Sequence, residues 1–242
     1  MSVYRHYERM LGNYYTWIAG DFEQGRQDFT LFARSHGIIP SPGAVAIDLG
    51  SAHGIQSLAL ADLGFTVKAI DFNPHLIEDL NRRRGDLPIE TIQGDILNLE
   101  PFAPLSPELI ICCGDTIAHL ESLVHIETLM EKTYRILKPG GRVVLTFRDY
   151  TDALEDTQRF IPVKSDPDRI FTCMLEYFPD RVRVTDLVYE REQDHWTRAI
   201  SSYYKIRVSS AMIGTALSGA GFTIVLNGQM GRMAALIGQK NG

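Results

Sequence analysis

Cysteine is scarce in this chain, and no part of it is continuously apolar over a long distance. Three cysteines occur among 242 residues, and two of them, Cys112 and Cys113, are adjacent, which excludes the cysteine framework of a disulfide-stabilised domain. No apolar stretch approaches the length of a membrane span, and the first residues lack the apolar core of a signal peptide. These absences predict a cytoplasmic protein that does not enter a membrane.

Positive charge is also limited. The formal net charge is −6 and the isoelectric point is about 5.6, whereas proteins that hold nucleic acid through its phosphates are generally basic. The densest basic run, Asn81 to Arg84, falls at the end of a predicted helix, where positive charge suits the helix dipole. We therefore expect no nucleic-acid partner.

The order of predicted elements indicates an α/β protein. Strands and helices alternate up to residue 150, as is typical of a parallel sheet with helices on both faces. Residues 1–40 are aromatic-rich and predict a helical cap. Beyond the polar and irregular residues 152–168, three strand-like runs predict an antiparallel β-meander. We thus expect a domain made of residues 1–150 and 209–242, with residues 151–208 inserted as a lid or substrate subdomain.

One turn carries the clearest functional signal. An apolar strand ends at Asp48, a turn rich in small residues follows, and a helix then leads to a second strand that ends in Asp71. Glycine at position 50 would let a ligand approach the backbone. Asp71 could accept hydrogen bonds from both hydroxyls of a ribose. The segment therefore predicts half of a nucleotide-binding βαβ unit.

The spacing of the glycines indicates which nucleotide is bound. A dinucleotide site is typically G-x-G-x-x-G, but the second and third positions counted from Gly50 are Ala52 and Ile55. The pattern that fits is D-x-G-x-[GA]-x-G, with Asp48 at its start and Gly54 at its end. This pattern resembles motif I of the class I S-adenosylmethionine (SAM) methyltransferases. An NAD(P)-dependent oxidoreductase is the less favoured alternative.

The resemblance to class I methyltransferases extends over most of the chain. The turn at 137–141, Leu-Lys-Pro-Gly-Gly, is similar to the segment before the fifth strand of that fold, and 220–222, Ala-Gly-Phe, to the one before the sixth. In the resembling fold the last strand, here 233–237, inserts antiparallel. The resemblance implies a Rossmann-like class I methyltransferase sheet, with S-adenosyl-L-methionine as the cofactor.

The resemblance also implies roles for residues at the strand ends. Asp71 would hold the ribose, Phe72 would lie against the adenine, and Asp95 and the Ile96 amide would bind its polar edge. The further predicted members of the cofactor site are Tyr15, Trp17, Asp48, Gly50, His53, Gly54, Asn73, Cys113 and Gly114. Alternatives stay open: Phe72, Tyr15 and Trp17 could be core residues. Asp48 could brace the turn, and His53 could have a capping or solvent-exposed role.

Two further segments point to the methyl acceptor. Residues 113–120 are similar to the G-N-S-x-x-H-L segment of glycine N-methyltransferase-like enzymes, and residues 147–150 to their R-N-Y segment, with Asp in place of Asn in both. The resemblance implies Arg148 and Tyr150 as acceptor-binding residues, and an acceptor that carries a carboxylate. The alternative for Arg148 is an internal ion pair with Asp149, Asp115 or Asp95. His119 is the candidate general base, with a structural role as the alternative.

The sequence thus predicts an enzyme that methylates a nitrogen or oxygen of a small molecule. The chain lacks the [DN]-P-P-[YF] motif of methyltransferases that act on base or amide nitrogens. No metal is expected, because Asp115 and Asp149 have no evident third ligand beside them. A SAM-binding regulator without turnover is the alternative function.

Overall fold

The computed structural model describes residues 2–242. Its α-helices are α1 (Val3–His6), α2 (Gly12–Ile18), α3 (Phe22–Ser35), α4 (Ile55–Leu63), α5 (Pro74–Arg84), α6 (Leu123–Ile136) and α7 (Ser210–Gly219). Its β-strands are β1 (Val45–Leu49), β2 (Thr66–Asp71), β3 (Ile89–Gln93), β4 (Leu109–Cys112), β5 (Arg142–Phe147), β6 (Phe160–Ser165), β7 (Arg169–Tyr177), β8 (Arg181–Glu192), β9 (His195–Ile206), β10 (Thr223–Met230) and β11 (Met233–Gln239). A π-helical segment, Tyr7–Leu11, joins α1 to α2, and short 3₁₀ helices span Glu100–Leu105, Thr116–His119 and Asp156–Arg159.

The chain forms two compact units. Residues 2–20 and 150–207 make up unit 1, and residues 21–149 and 208–242 make up unit 2. The sequence-based division placed residues 1–40 together with the nucleotide-binding segment. The structure divides them instead, since α1 and α2 belong to unit 1 and α3 belongs to unit 2.

Unit 2 contains a seven-stranded sheet in the order β10-β11-β5-β4-β1-β2-β3. Strands β1 to β5 pair in parallel, and β11 pairs antiparallel with β5. The expected α/β class and the antiparallel last strand are therefore confirmed. The closing hairpin is tight, because β10 continues to Met230 and leaves Gly231 and Arg232 as the turn.

The central strands of unit 2 are buried on both faces, which explains their apolar sequences. Every residue of β4, Leu-Ile-Ile-Cys, is buried, as are the last four residues of β1. Helices α3 and α4 contribute Phe29 and Leu60 to a core that also contains Phe65 and Val67. This packing fixes the positions of the strand ends, where the turn at residues 50–54 lies, which we call the motif turn.

Unit 1 is built on a four-stranded antiparallel sheet in the order β6-β7-β8-β9. The N-terminal helical segment packs on this sheet, where Met10 and Leu11 meet Phe171 and Val188. The sequence predicted only three of these strands and missed β6. This is an edge strand with mostly exposed residues and a proline, Pro162. Edge strands tolerate proline and need no apolar alternation, so the sequence signal of this strand is weak.

No helix among residues 2–242 has both the length and the apolar character needed to span a membrane.

Candidate functional site

The candidate site lies at the carboxyl ends of β1, β2 and β4, which are neighbours in the sheet of unit 2. The expected acids at the strand ends differ in their surroundings. Asp48, Asp71 and Asp115 are buried, whereas Asp95 and Asp149 are exposed. Buried carboxylates need hydrogen-bond donors, and the donors of each one indicate what that residue can do.

The motif turn takes three left-handed backbone conformations. Gly50, Ala52 and Gly54 have φ values of +76°, +48° and +99°. The amides of Gly50 and Ser51 both donate to the Ile70 carbonyl, at 2.8 and 3.0 Å. The turn is thereby tied to the end of β2, so its shape is fixed by the protein itself.

The structure shows why position 50 is glycine. A Cβ atom built there would lie 2.6 Å from Oγ1 of Thr116, which is closer than real Cβ atoms come to other atoms. Sequence reasoning assigned this glycine to the approach of a ligand. The neighbouring Thr116 side chain is an additional reason within the protein, and nothing in the local sequence indicated it.

Asp71 accepts a backbone hydrogen bond on each carboxylate oxygen. Oδ2 accepts from the Ala52 amide and Oδ1 from the Asn73 amide, both at 2.8 Å. Burial raises the pKa of Asp71, and these amide bonds oppose the rise. Each carboxylate oxygen can accept a further hydrogen bond, so the group has the capacity to bind two hydroxyls.

Asp48 is held differently. It is 1% exposed and accepts from Oγ of Ser57, on α4, at 2.6 Å. Burial, together with the charge of Asp71, raises the pKa of Asp48 to about 7, against the effect of the Ser57 hydrogen bond. This contact links β1 to the following helix, which corresponds to the bracing role considered for Asp48.

Two polar side chains of the motif turn are buried. The Ser51 hydroxyl has no hydrogen-bond partner among residues 2–242. The His53 ring packs edge-on against Phe22, with ring centroids 5.2 Å apart. Burial lowers the pKa of His53 to about 4, so this imidazole is neutral at pH 7. An unpartnered buried hydroxyl in a tight turn fits a site built for a polar ligand.

The residues that follow β2 and β3 lie at the same edge of the sheet and form local hydrogen bonds there. Asn73 caps α5, since its side chain accepts from the amides of His75 and Leu76 at 3.0 and 3.2 Å. Phe72 is partly buried. Asp95 accepts from the Leu97 amide at 2.8 Å and so closes a local turn. The side chains of Asn73 and Asp95 thus also have structural roles.

The segment after β4 is bound to β5. The Gly114 amide donates to Oγ1 of Thr146 at 3.0 Å, and Thr116 Oγ1 donates to the Cys113 carbonyl at 2.9 Å. Burial raises the pKa of Cys113 to about 12, so its thiol is unreactive at neutral pH. His119 ends the short helix that follows and is partly buried.

Sequence reasoning missed several of these partners. Ser57, Thr116 and Thr146 each fix a part of the site through a side-chain hydroxyl. Thr146 carries the one usable signal, because it is a polar residue next to last in a strand whose other residues after Arg142 are apolar and buried.

Arg148 and Asp115 form a loose ion pair. Asp115 is buried at φ +78°, and its Oδ1 accepts from the Arg148 amide at 2.9 Å. The guanidinium Nε lies 3.9 Å from Oδ2, and the Arg148 side chain is 56% exposed. The guanidinium therefore keeps most of its hydrogen-bonding capacity. Asp149 accepts from the Ser210 amide, at the start of α7.

Three of the predicted site residues lie in unit 1. Trp17 is partly buried, and the Arg169 guanidinium lies over its ring, 4.6 Å from the centroid of the Trp17 ring. Tyr15 packs against the apolar cluster of that unit. Tyr150 is buried, with its hydroxyl 3.4 Å from Nζ of Lys205.

Within residues 2–242 there is no group of three or more His, Cys, Asp or Glu side chains placed to hold a metal ion.

Residues 47–145 match the family model described as a methyltransferase domain. The chain is 36% identical over 104 residues to demethylmenaquinone methyltransferase of Paenarthrobacter aurescens (strain TC1), a match that covers 43% of this chain and 38% of the relative. It is 27% identical over 111 residues to glycine/sarcosine N-methyltransferase of Parasynechococcus marenigrum (strain WH8102), covering 45% of this chain and 39% of that one. These matches span less than half the length of each relative.

Solved structures match nearly the whole chain. The CcbJ methyltransferase of Streptomyces caelestis has a TM-score of 0.77 at 16% identity, covering 93% of this chain and 98% of its own. The SAM-bound amino pentose methyltransferase CalS10 of Micromonospora echinaspora has a TM-score of 0.76 at 12% identity, covering 96% of this chain and 97% of its own. At these identities the likeness establishes the fold.

We predict that Gly50→Ala destabilises unit 2 more than Gly43→Ala. Both glycines have φ +76°, but a Cβ at position 43 meets nothing within 4 Å, whereas one at position 50 meets Thr116. The backbone strain of roughly 1–2 kcal/mol is therefore common to both, and the contact adds to it only at position 50. Thermal unfolding measures the two effects. Equal losses would show that Thr116 moves aside without cost.

We further predict a pH-dependent contribution of Asp48 to stability. Its pKa is raised to about 7 in the folded protein, above the ordinary value near 3.9. The folded state then holds a proton that the unfolded state has lost, so rising pH between about 4 and 7 destabilises the fold. Urea unfolding of the wild type and Asp48→Asn at pH 5 and pH 8 tests this. The free energy of unfolding of Asp48→Asn, relative to that of the wild type, should rise by about 2 kcal/mol from pH 5 to pH 8. The same change with pH in both proteins would contradict the prediction.

Proposed function

We propose that this chain, which carries a domain of the class I SAM-dependent methyltransferase superfamily, binds SAM and transfers its methyl group to a nitrogen or oxygen of a small molecule. The observation that carries the proposal is the pairing of the Asp71 carboxylate with the motif turn. Two backbone amides orient the carboxylate, and a turn with no side chain at position 50 precedes it.

The residues present fit SAM group by group. Asp71 has acceptor capacity for the two ribose hydroxyls, and Phe72, directly after it, offers an apolar surface for the adenine. The Ile96 amide and Asp95 follow β3, the next strand, and are proposed for the adenine edge. The backbone of Gly50 and Cys113 is proposed for the methionine part, beside the unpartnered hydroxyl of Ser51.

When bound, SAM supplies a methyl group on a positively charged sulfur, which is already activated for transfer. The protein then needs to hold the acceptor in line and to exclude water. The neutral state of His53 and the high pKa of Asp48 limit the buried charge next to the cofactor. His119 stays our prediction for a general base at the end of β4.

Several observations favour a small-molecule acceptor. The matched relatives include enzymes named for demethylmenaquinone and for glycine or sarcosine. The net charge of −6 does not favour a nucleic acid held through its phosphates. Arg148 presents a largely exposed guanidinium, whose planar fork suits a carboxylate. We therefore propose an acceptor with an anionic group, most simply a carboxylate.

A screen with methyl-labelled SAM against pooled small amines, carboxylates and phenols tests the proposal. We expect labelled product from at least one pool. SAM binding without transfer to any pool would indicate a SAM-binding regulator, and binding of NAD in place of SAM would overturn the cofactor assignment.

We predict that Asp71→Ala weakens the binding of SAM and of S-adenosylhomocysteine by about 10–100-fold, or roughly 1.5–3 kcal/mol, because it removes a buried acceptor of two hydroxyls. Calorimetry measures the affinities. Asp62→Ala is the control, since Asp62 is an acid of the same unit that pairs with Arg26 on the surface. Because Asp71 also holds the turn, unfolding of each variant is measured alongside. A folded Asp71→Ala with wild-type affinity would contradict the ribose assignment.

We predict that Arg148→Lys leaves SAM affinity and melting temperature unchanged but raises the KM for the acceptor or lowers turnover, because lysine cannot reproduce the two-pronged contact. The loose and exposed pair with Asp115 should contribute little to stability. The acceptor found in the screen and its uncharged amide analogue are compared. Full activity of Arg148→Lys on an uncharged true acceptor would end the carboxylate proposal.

A further inference from the structure

The sheet of unit 1 has one covered face and one open face. The covered face packs against the N-terminal helical segment, where Met10 and Phe171 belong to one apolar cluster and the His6 imidazole lies 2.9 Å from the Asp186 carboxylate. Successive side chains of a strand alternate between the two faces, so Thr172, the residue after Phe171, belongs to the opposite side. We call that side the outer face.

The outer face is arranged in rows, because register partners on neighbouring strands share a face. The two central rows run across β7, β8 and β9 and consist of Met174, Thr185 and Ser202, and of Thr172, Leu187 and Ile200. The rows that flank them are Glu176, Arg183 and Tyr204 on one side, and Ile170, Tyr189 and Arg198 on the other. The centre of the outer face is therefore uncharged.

The outer face exposes more apolar surface than the free side of an antiparallel sheet usually does. Five large side chains on it are between 40% and 55% exposed, namely Phe160, Ile170, Trp196, Ile200 and Tyr204. Adjoining exposed apolar side chains mark a surface that associates with a partner.

The charges of the first flanking row are paired with one another. Arg183 donates two hydrogen bonds of 2.6 Å to the carboxylate of its register partner Glu176. Nucleic acids and anionic lipid surfaces bind to clusters of unpaired basic side chains. An uncharged centre beside a paired row instead favours a partner whose surface is itself apolar.

The four side chains at the middle of β7 and β8 differ in size in a diagonal pattern. Met174 and Leu187 are large and stand on one diagonal, and Thr172 and Thr185 are smaller and stand on the other. Each large side chain therefore has a smaller one beside it along the strand and another across the strands. The outer face thus has two high and two low positions at its centre.

This diagonal pattern is complementary to itself. A two-fold axis that lies in an interface between two outer faces exchanges the diagonals, whether it runs across the strands or along them. Met174 and Leu187 of one copy then each face a threonine of the other copy. Large side chains meet small ones, which is what close packing in a symmetric interface requires.

Neither axis brings like charges together in the row of Arg183. If the axis crosses the strands, Arg183 of one copy faces Tyr189 of the other, and if it runs along them, it faces Glu176. An aromatic ring and a carboxylate are both favourable partners for a guanidinium. The flanking rows are therefore compatible with the same two-fold packing.

The size of the outer face is close to what a specific dimer needs. Its four strands lie about 4.8 Å apart and advance about 3.3 Å per residue, so the part between Ile170 and Glu176 has a flat area of roughly 450 Å². The accessible area is larger, because side chains project from the sheet and β8 and β9 continue to Trp196. Specific dimers bury roughly 600 Å² or more per partner. We therefore expect an affinity in the micromolar range.

We propose that the outer face binds the outer face of a second copy of this chain and forms a two-fold symmetric dimer. The two sheets pack face to face, about 10 Å apart, with their strand directions within about 30° of each other. This inference does not depend on the proposed methyl transfer.

The first experiment measures the mass of the full chain by sedimentation equilibrium from about 1 to 200 μM. We expect the wild type to change from monomer to dimer within this range. Ile200→Asp places a carboxylate in the apolar interface and should raise the dissociation constant at least tenfold. Val124→Asp is the matched control, since Val124 is 65% exposed on α6 of unit 2, and it should dimerise as the wild type does. Circular dichroism checks that each variant is folded.

The second experiment distinguishes complementary packing from unspecific apolar association. Ser202 stands beside Thr185 and faces a large side chain of the second copy with either axis, Ile200 or Phe160. Ser202→Leu adds apolar surface but fills the space that this side chain needs, so it should weaken the dimer by about tenfold. Ser218→Leu, at an exposed serine of α7, should leave the dissociation constant unchanged.

Three outcomes would overturn the proposal. A wild type that stays monomeric at the highest concentration has no such dimer, and if it binds phosphatidylcholine vesicles while Ile200→Asp does not, the outer face is a lipid-binding surface instead. A dimer that Ile200→Asp leaves intact has its interface elsewhere. A dimer that Ser202→Leu strengthens is held by apolar area alone, without the complementary packing of the two faces.

Discussion

The carboxylate of Asp71 is the constraint on which the geometry of the candidate site depends. It is buried at the end of β2, where an unpaired charge would be costly. Amides from both sides satisfy it, one from the motif turn and one from the start of α5. Because the Ala52 amide must point at this carboxylate, the turn adopts left-handed backbone conformations. The position of one side chain thus determines where three segments of the chain meet.

The sheet of unit 2 could be predicted because each element had its own local signal. The apolar β1 and β4 carried the pattern of strands buried on both faces, and the turn after β1 carried its glycines. The partners within the N-terminal forty residues could not be predicted. An aromatic, amphipathic helix shows that one face is buried but not against what, so the assignment of α1 and α2 to unit 1 required the structure.

For the candidate site too, one part could be predicted from the sequence and another part could not. Parallel strands end at one edge of a sheet, so Asp71, Asp95 and Gly114 could be placed there from the sequence alone. The contacts that hold the site are long-range and have no local pattern. The hydroxyl of Ser57 reaches Asp48 across nine residues, and in unit 1 His6 reaches Asp186 across 180. Position 50 is the clearest example. The sequence indicated that a glycine is needed there, but not that the Thr116 side chain, which follows a different strand, lies against it.

The buried carboxylates of the two units differ in how their charge is compensated. Asp71 has two amide donors that favour its ionised form, and Asp186 has the His6 imidazole at 2.9 Å. Asp48 has a single hydroxyl donor, and its burial, together with the like charge of Asp71, raises its pKa to about 7. At neutral pH the pair of carboxylates therefore carries less negative charge than two ordinary carboxylates would. A site of this kind suits neutral hydroxyl donors such as those of a ribose, because adding two hydrogen bonds to Asp71 completes its coordination without requiring another buried charge.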